Sequence, residues 1–234
     1  QYAEMEPYIN AVEDLWISPT ADRVAGQALI EANGWAKNAS GFYQKDDQEL
    51  SLDIQTHEGF IEKRRVAAVV VEQLRAAGVM ATARSVAGST WDENQAFGNF
   101  EAVMDWSACG SVNEPWVSMN RYTQQFLRPI DRRSPGNNNF VRWSEAGAKT
   151  YSQLVSKIGV LPLGDSAIMP LMSEAMKIFM SEQVVIPITQ SRKLVPFDTT
   201  YWVGWPTQKN NYNHPSTHWQ MTHQIIHRLR KAGS

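Results

Sequence analysis

The stretch LSLDIQTHEGFIEKRRVAAVVVEQLRAAGVMATARSV, residues 50–86, decides the fold class. Leu50 to Thr56 alternates apolar and polar residues with period two, the pattern of a half-buried strand. From Ile61 the spacing changes. Ile61, Val66, Val69, Val70 and Leu74 recur at helical intervals, and Gly78 stands where a left-handed residue would stop the helix. Met80 to Val86 reads as a second strand. Strand, helix of roughly 18 residues and strand make a βαβ unit with parallel strands. The expected fold class is therefore α/β.

Working outward, Phe100 to Trp106 (FEAVMDW) reads as a third strand, after a polar helix from Trp91 to Asn99. This strand runs into a loop, so that Glu101 to Tyr122 reads EAVMDWSACGSVNEPWVSMNRY. A strand that ends in small, amide and aromatic residues presents a ligand surface from a rigid scaffold. Trp106 and Trp116 offer flat apolar faces, and Ser107, Asn113, Glu114 and Asn120 offer hydrogen-bonding groups for a polyhydroxylated or peptide-like ligand.

Towards the N-terminus, SPTADRVAGQALIEANGWAKN reads as a helix capped by Ser18 or Thr20. Its apolar stripe is Val24, Ala28, Leu29 and Ala32, and Asn33-Gly34 ends it. Residues 38–49 read as a turn-rich link. Towards the C-terminus, residues 127–139 are a loop by composition, and helices follow over 144–158 and 165–183. Residues 184–196 form a strand-like run broken by Pro187. An aromatic loop leads to a last helix through Met221, Ile225, Ile226 and Leu229. Trp35 and Trp143 read as packing residues.

Composition narrows the function classes. The 234 residues are 43% hydrophobic and 20% charged, as expected of a globular chain with a sizeable core. Nine Trp, several in polar surroundings, favour recognition of carbohydrate or aromatic groups. A net charge of −2 leaves no basic footprint for nucleic acid. Lys63-Arg64-Arg65 and Arg132-Arg133 read as solvated faces. No apolar run reaches the ~18 residues of a membrane span. The start at Gln1-Tyr2, without Met or a leader, reads as a mature or excised piece.

Catalytic and metal signatures are weak. His223 and His227 share a helix face, but Gln224 stands where a zinc-binding HEXXH motif has Glu. Cys109, the single cysteine, excludes an intrachain disulfide. No GxSxG motif or phosphate-cradling glycine loop occurs. Asp46-Asp47 and Asp92-Glu93 are chain neighbours that point apart on regular structure. No enzyme activity, cofactor or metal site is expected, and a small metal-dependent hydrolase built on the His-rich tail is the alternative from another class.

The order of pieces resembles a known family. PTADRVAGQALIEANGWAKNASGFYQKDDQELSLDIQT, VAAVVVEQLRAAGVMATARSV, FGNFEAVMDW and SEQVVIPITQSRKLVPF are similar, in the same order, to segments of family 5 extracellular solute-binding proteins of ABC importers. That group takes dipeptides, oligopeptides and oligosaccharides. The resemblance implies the C-terminal lobe of a two-lobe periplasmic-binding-protein-like fold, with a mixed sheet flanked by helices. Residues 1–183 would form the ligand-binding lobe, and 184–234 a crossover and tail that would pack on a missing N-terminal lobe. It further implies partnership with the importer's membrane subunits and a periplasmic or extracellular location, soluble or lipid-anchored.

TYWVGWPTQKNNYNHPSTHW is similar to the tail of cello- and chito-oligosaccharide binders, in which an aromatic after Gly stacks on a sugar ring. That position is Trp205. The turn after the first strand also carries an aromatic there, matching Gly59-Phe60. The resemblance thus implies an oligosaccharide ligand held by Phe60, Trp106, Ser107, Asn113, Glu114, Trp116, Asn120 and Trp205, with an oligopeptide as the alternative. Trp106 and Trp116 should then not both be fully buried, and at least one should stand near Phe60.

Overall fold

The computed structural model describes residues 6–10, 12–13, 22–106, 115–189, 196–207, 209–210, 212 and 222–233. The chain forms two compact units, one of Tyr8–Val184 and one of Val185–Ser234 with Gln1–Pro7. A short helix, α1 (Glu6–Asn10), lies at that boundary.

The larger unit is built on the βαβ stretch. Strand β4 (Ser51–His57), helix α3 (Ile61–Ala77) and strand β5 (Met80–Val86) follow each other as the periodicity predicts. The strands pair in parallel from Ser51 opposite Met80 to His57 opposite Val86. Helix α4 (Gly88–Phe97) leads to β6 (Ala102–Val103), which pairs in parallel with the other side of β4. The order β5-β4-β6 puts β4 in the centre, and its Ile54, Gln55 and Thr56 are buried. The expected third strand is short, because only Ala102 and Val103 pair before the chain turns away after Met104, whose N–H still reaches Gln55 O at 2.9 Å.

Ahead of this sheet the structure departs from the sequence reading. Helix α2 (Arg23–Ala32) is capped by Asp22, whose carboxylate accepts from the Ala25 N–H at 2.9 Å. Ser18 and Thr20, the expected caps, lie outside the described residues. Val24 and Leu29 of the expected inward stripe are exposed, and nothing in α2 is buried. The supposed link contains an antiparallel meander, β1 (Ala36–Lys37), β2 (Tyr43–Lys45) and β3 (Gln48–Glu49). Asp46 and Asp47 both have positive φ, 49° and 62°, as a two-residue hairpin turn requires. Parallel and antiparallel pairing thus occur in separate sheets. Gly78 joins them. Its φ of 99° ends α3, its carbonyl accepts from the Tyr43 N–H at 2.8 Å, and a Cβ there would press on the Tyr43 ring.

Helix α3 turns part of the expected stripe inward. Val66, Val70 and Leu74 are half-buried beside the buried Lys63 and Ala67, whereas Ile61 and Val69 are exposed. A small residue at position 67 lets the helix lie close to the sheet. Lys63, expected on a solvated face, is 4% exposed because it has a polar destination inside.

The second half of the unit is helical. Helix α5 (Trp116–Asn120) precedes α6 (Ala146–Ile158) and α7 (Ile168–Ser181). Trp143, Tyr151, Tyr122 and Phe179 form its aromatic core, with ring centroids 4.8–5.7 Å apart. Glu182 closes this core by accepting from Trp143 Nε1 at 2.6 Å and from the Gly147 N–H at 2.7 Å. Trp143 is a packing residue, as expected.

In the smaller unit, β7 (Trp202–Val203) pairs antiparallel with β8 (Arg230–Lys231), and α8 (Thr222–Arg228) precedes β8. The strand-like run 184–196 forms no strand among the described residues.

Candidate functional site

Because β4, β5 and β6 run parallel, their C-terminal ends share one edge of the sheet, where α/β folds place ligands. His57 ends β4, Gly88 begins the helix after β5, and Asp105 and Trp106 follow β6. The turn at 57–60 is held locally. The Gly59 N–H donates to His57 Nδ1 at 2.8 Å, and the Phe60 N–H donates to the His57 carbonyl at 3.2 Å. This places Phe60 at the mouth of α3, with its ring 4.4 Å from that of His57.

Trp106 meets Phe60 edge to face, with centroids 4.5 Å apart, and is 51% exposed. It stands at the surface beside Phe60. Beneath both rings lies Lys63. Its ammonium is 3.8 Å from the Trp106 centroid, 4.5 Å from Phe60 and 4.7 Å from Trp91. Nζ is paired with Asp105 Oδ1 at 2.7 Å. Burying an ammonium is costly unless it is paired and hydrogen-bonded, and here a carboxylate and three π faces replace its water.

Asp105 is itself fixed. Its Oδ2 accepts from Gln95 Nε2 at 2.9 Å, and Oδ1 also accepts from the Trp106 N–H at 2.6 Å. The polar layer continues inward, where Asn94 donates to Gln55 Oε1 at 2.8 Å and Gln55 donates to the Asn99 carbonyl at 3.2 Å. Trp91 is buried, and among the described residues its indole N–H has no hydrogen-bond partner. Burial raises the Tyr122 hydroxyl pKa, Arg121 opposes it, and Asp105 adds a smaller raising contribution.

The other expected site residues are placed as follows. Trp116 is half-buried on α5, where a Cβ on Gly159 would run into its indole. It therefore packs on the end of α6. Asn120 is half-buried, and its side-chain oxygen accepts from Gln125 Nε2 at 2.6 Å. Trp205 belongs to the smaller unit. Its ring stacks on Phe197 at 4.7 Å, and its N–H reaches the Trp202 carbonyl at 3.0 Å. Ser107, Asn113 and Glu114 lie outside the described residues, as does Cys109. Of the expected set, contact joins Phe60 and Trp106.

Lys63, Asp105, Trp91 and Gln95 complete the cluster, and the sequence reading did not assign them to it. Only one signal pointed to them: Lys63 falls one turn before Ala67 on a helix whose inner face is otherwise small or apolar. On the smaller unit His223 and His227 are exposed, and among the described residues no group of three His, Cys, Asp or Glu side chains is gathered to hold a metal.

No protein-family model and no curated protein matches this sequence. Solved structures do. A periplasmic oligopeptide-binding protein of an oligopeptide ABC transporter from Thermotoga maritima superposes with a TM-score of 0.80 at 17% identity, covering 97% of this chain and 42% of that one. The same protein bound to mannohexaose gives 0.77 at 16% identity, with the same coverage. The periplasmic binding protein MelB from Agrobacterium fabrum, in complex with stachyose, gives 0.58 at 14% identity over 70% of this chain and 25% of that one. The oligopeptide-binding protein AppA from Bacillus subtilis, in complex with a nonapeptide, gives 0.55 at 15% identity over 77% and 38%. This chain thus spans less than half the length of these proteins. Its fold is α/β, that of one lobe of a periplasmic binding protein. At such identities the likeness establishes fold and not ligand.

Proposed function

We propose that this chain is the ligand-binding lobe of a solute-binding protein serving an ABC importer, and that its ligand is an oligosaccharide held by stacking and hydrogen bonds. The observation that supports this reading best is the half-exposed Trp106 ring, braced by Phe60 at the C-terminal edge of the parallel sheet. A pyranose presents an apolar C–H face to such a ring, and its hydroxyls take fixed donors and acceptors nearby. Structural neighbours bound to mannohexaose and to stachyose support the same class. In this reading Trp116 and Asn120, with Ser107, Asn113 and Glu114, extend the site, Trp205 of the smaller unit is a further stacking residue, and a second lobe closes over the ligand. Residues 1–183 form the binding lobe and 184–234 the tail that packs on the second lobe. Recognition is without catalysis, outside the cytoplasmic membrane, with handover to the importer's membrane subunits. Among the described residues no helix is long and apolar enough to cross a membrane.

An oligopeptide is the second reading, favoured by the nonapeptide-bound neighbour. Calorimetric titration with mannohexaose, cellohexaose and a nonapeptide separates the two. Heat of binding with a sugar and none with peptide is expected. Peptide binding without any sugar binding would overturn the oligosaccharide assignment.

A further inference from the structure

We propose that Lys63 is the positioning residue of the aromatic platform: its buried ammonium, tied to Asp105, holds the Trp106 ring in the orientation that faces ligand. The inference rests on the functional reading above for its ligand, though not for its geometry. A helix packing on a sheet needs only apolar side chains on its inner face, and Ala67 on the same face meets that need. Lys63 instead brings a charge to a site where it is 4% exposed. Such a group is retained where its charge has a use, because a buried ion pair is seldom better for stability than apolar residues of the same size.

The geometry shows what the charge is used for. Nζ lies nearer to the centroid of Trp106, at 3.8 Å, than to those of Phe60 and Trp91. The same Asp105 oxygen that pairs with Nζ also accepts from the Trp106 backbone N–H. Lys63 therefore fixes Trp106 twice, through its ring and through its main chain. Gln95 holds the second Asp105 oxygen and so prevents the carboxylate from rotating. Trp106 itself follows a strand of only two residues.

The test compares Lys63→Met, which keeps the length and loses the charge, with Lys63→Ala, which vacates a space the size of n-propylammonium. The double variant Lys63→Met/Asp105→Asn leaves no buried charge and guards against misfolding of the single variants. The fluorescence of Trp106 is isolated as the difference between each protein and its Trp106→Phe counterpart. In ligand-free protein, Lys63→Met and the double variant are expected to show red-shifted Trp106 emission and at least twofold stronger acrylamide quenching. Adding n-propylammonium to Lys63→Ala is expected to reverse both changes, with no effect on the parent protein. In calorimetry, cellohexaose affinity should fall at least tenfold in Lys63→Met and recover in Lys63→Ala with the amine. Unchanged Trp106 emission and quenching in the double variant, or no response of Lys63→Ala to the amine, would overturn the proposal. Failure of the parent protein to bind cellohexaose would count against the ligand assignment instead, and the quenching comparison would still decide the role of Lys63.

Discussion

Replacing Trp106 with Ala tests the proposed binding surface most directly. About half of the residue is open to solvent, at 51% exposure, while its other side rests on Phe60 and the Lys63 ammonium. A Trp buries about 150–250 Å² in a packed site, so a ligand stacked on the exposed half removes on the order of 100 Å² from water. At ~25 cal/mol per Å² that contributes about 2.5 kcal/mol, which corresponds to roughly 60-fold in Kd. Lost contact with Phe60 and the ammonium costs the free protein about 1 kcal/mol, which leaves it folded. Isothermal titration with mannohexaose or cellohexaose, beside a thermal melt of the same sample, separates the two effects. Affinity should fall by one to two orders of magnitude while Tm moves by only about 2–4 °C. A folded variant that binds sugar within threefold of the parent would refute the stacking argument, because it would show that ligand does not cover this ring.

Other consequences concern the frame that carries the platform. Glu182→Ala strands the buried Trp143 N–H and the Gly147 N–H, and should destabilise by about 3 kcal/mol. A Tm lowered by roughly 6–12 °C and a loss of near-ultraviolet tryptophan ellipticity are the readouts. Gly147→Ala pushes a methyl into Glu182 and Ile178 where α6 and α7 meet, and should cost about 1–3 kcal/mol in a urea titration. Burial raises the pKa of both Tyr122 and Tyr151, whose hydroxyl donates to the Met119 carbonyl at 2.9 Å. A raised acid pKa leaves stability unaffected below the unfolded tyrosine value of about 10 and removes it as pH climbs above that value. Absorbance at the phenolate band should accordingly show Tyr151 ionising only as the fold is lost and Tyr122 ionising at higher pH than an exposed tyrosine, and Tyr151→Phe should flatten the alkaline decline.

The residues themselves made much of the fold legible. Period-two alternation over 50–56 and the helical spacing from Ile61 required a βαβ unit, and Gly78 marked the helix end at the position where a left-handed cap stands. Trp106 is expected at the site from its loop after a strand and Phe60 from the resemblance, and the structure brings their rings into contact. The meander at 36–49 was not legible, because its strands are two or three residues long and Asp46-Asp47 is a less common choice than Asn-Gly for a hairpin turn. The α2 cap at Asp22 was not legible, because serine and threonine earlier in the segment match the same capping preference.

Periodicity determines which residues can share a face, and so the order of strands and helices followed from the sequence by itself. It does not determine which face turns inward. In α3 the expected stripe of Ile61, Val66, Val69, Val70 and Leu74 is wider than the face that packs, and hydropathy alone leaves Lys63 outside it. Tertiary structure kept Val66, Val70 and Leu74 half-buried, left Ile61 and Val69 exposed and took Lys63 inside, because Asp105 from beyond β6 and three aromatic rings from separate elements replace the water that a lysine would lose. That exchange depends on contacts between residues some forty positions apart, which no local pattern records. The sequence therefore determined where the aromatic platform begins, and the packing of α3 and α4 against the loop after β6 decided what lies beneath it.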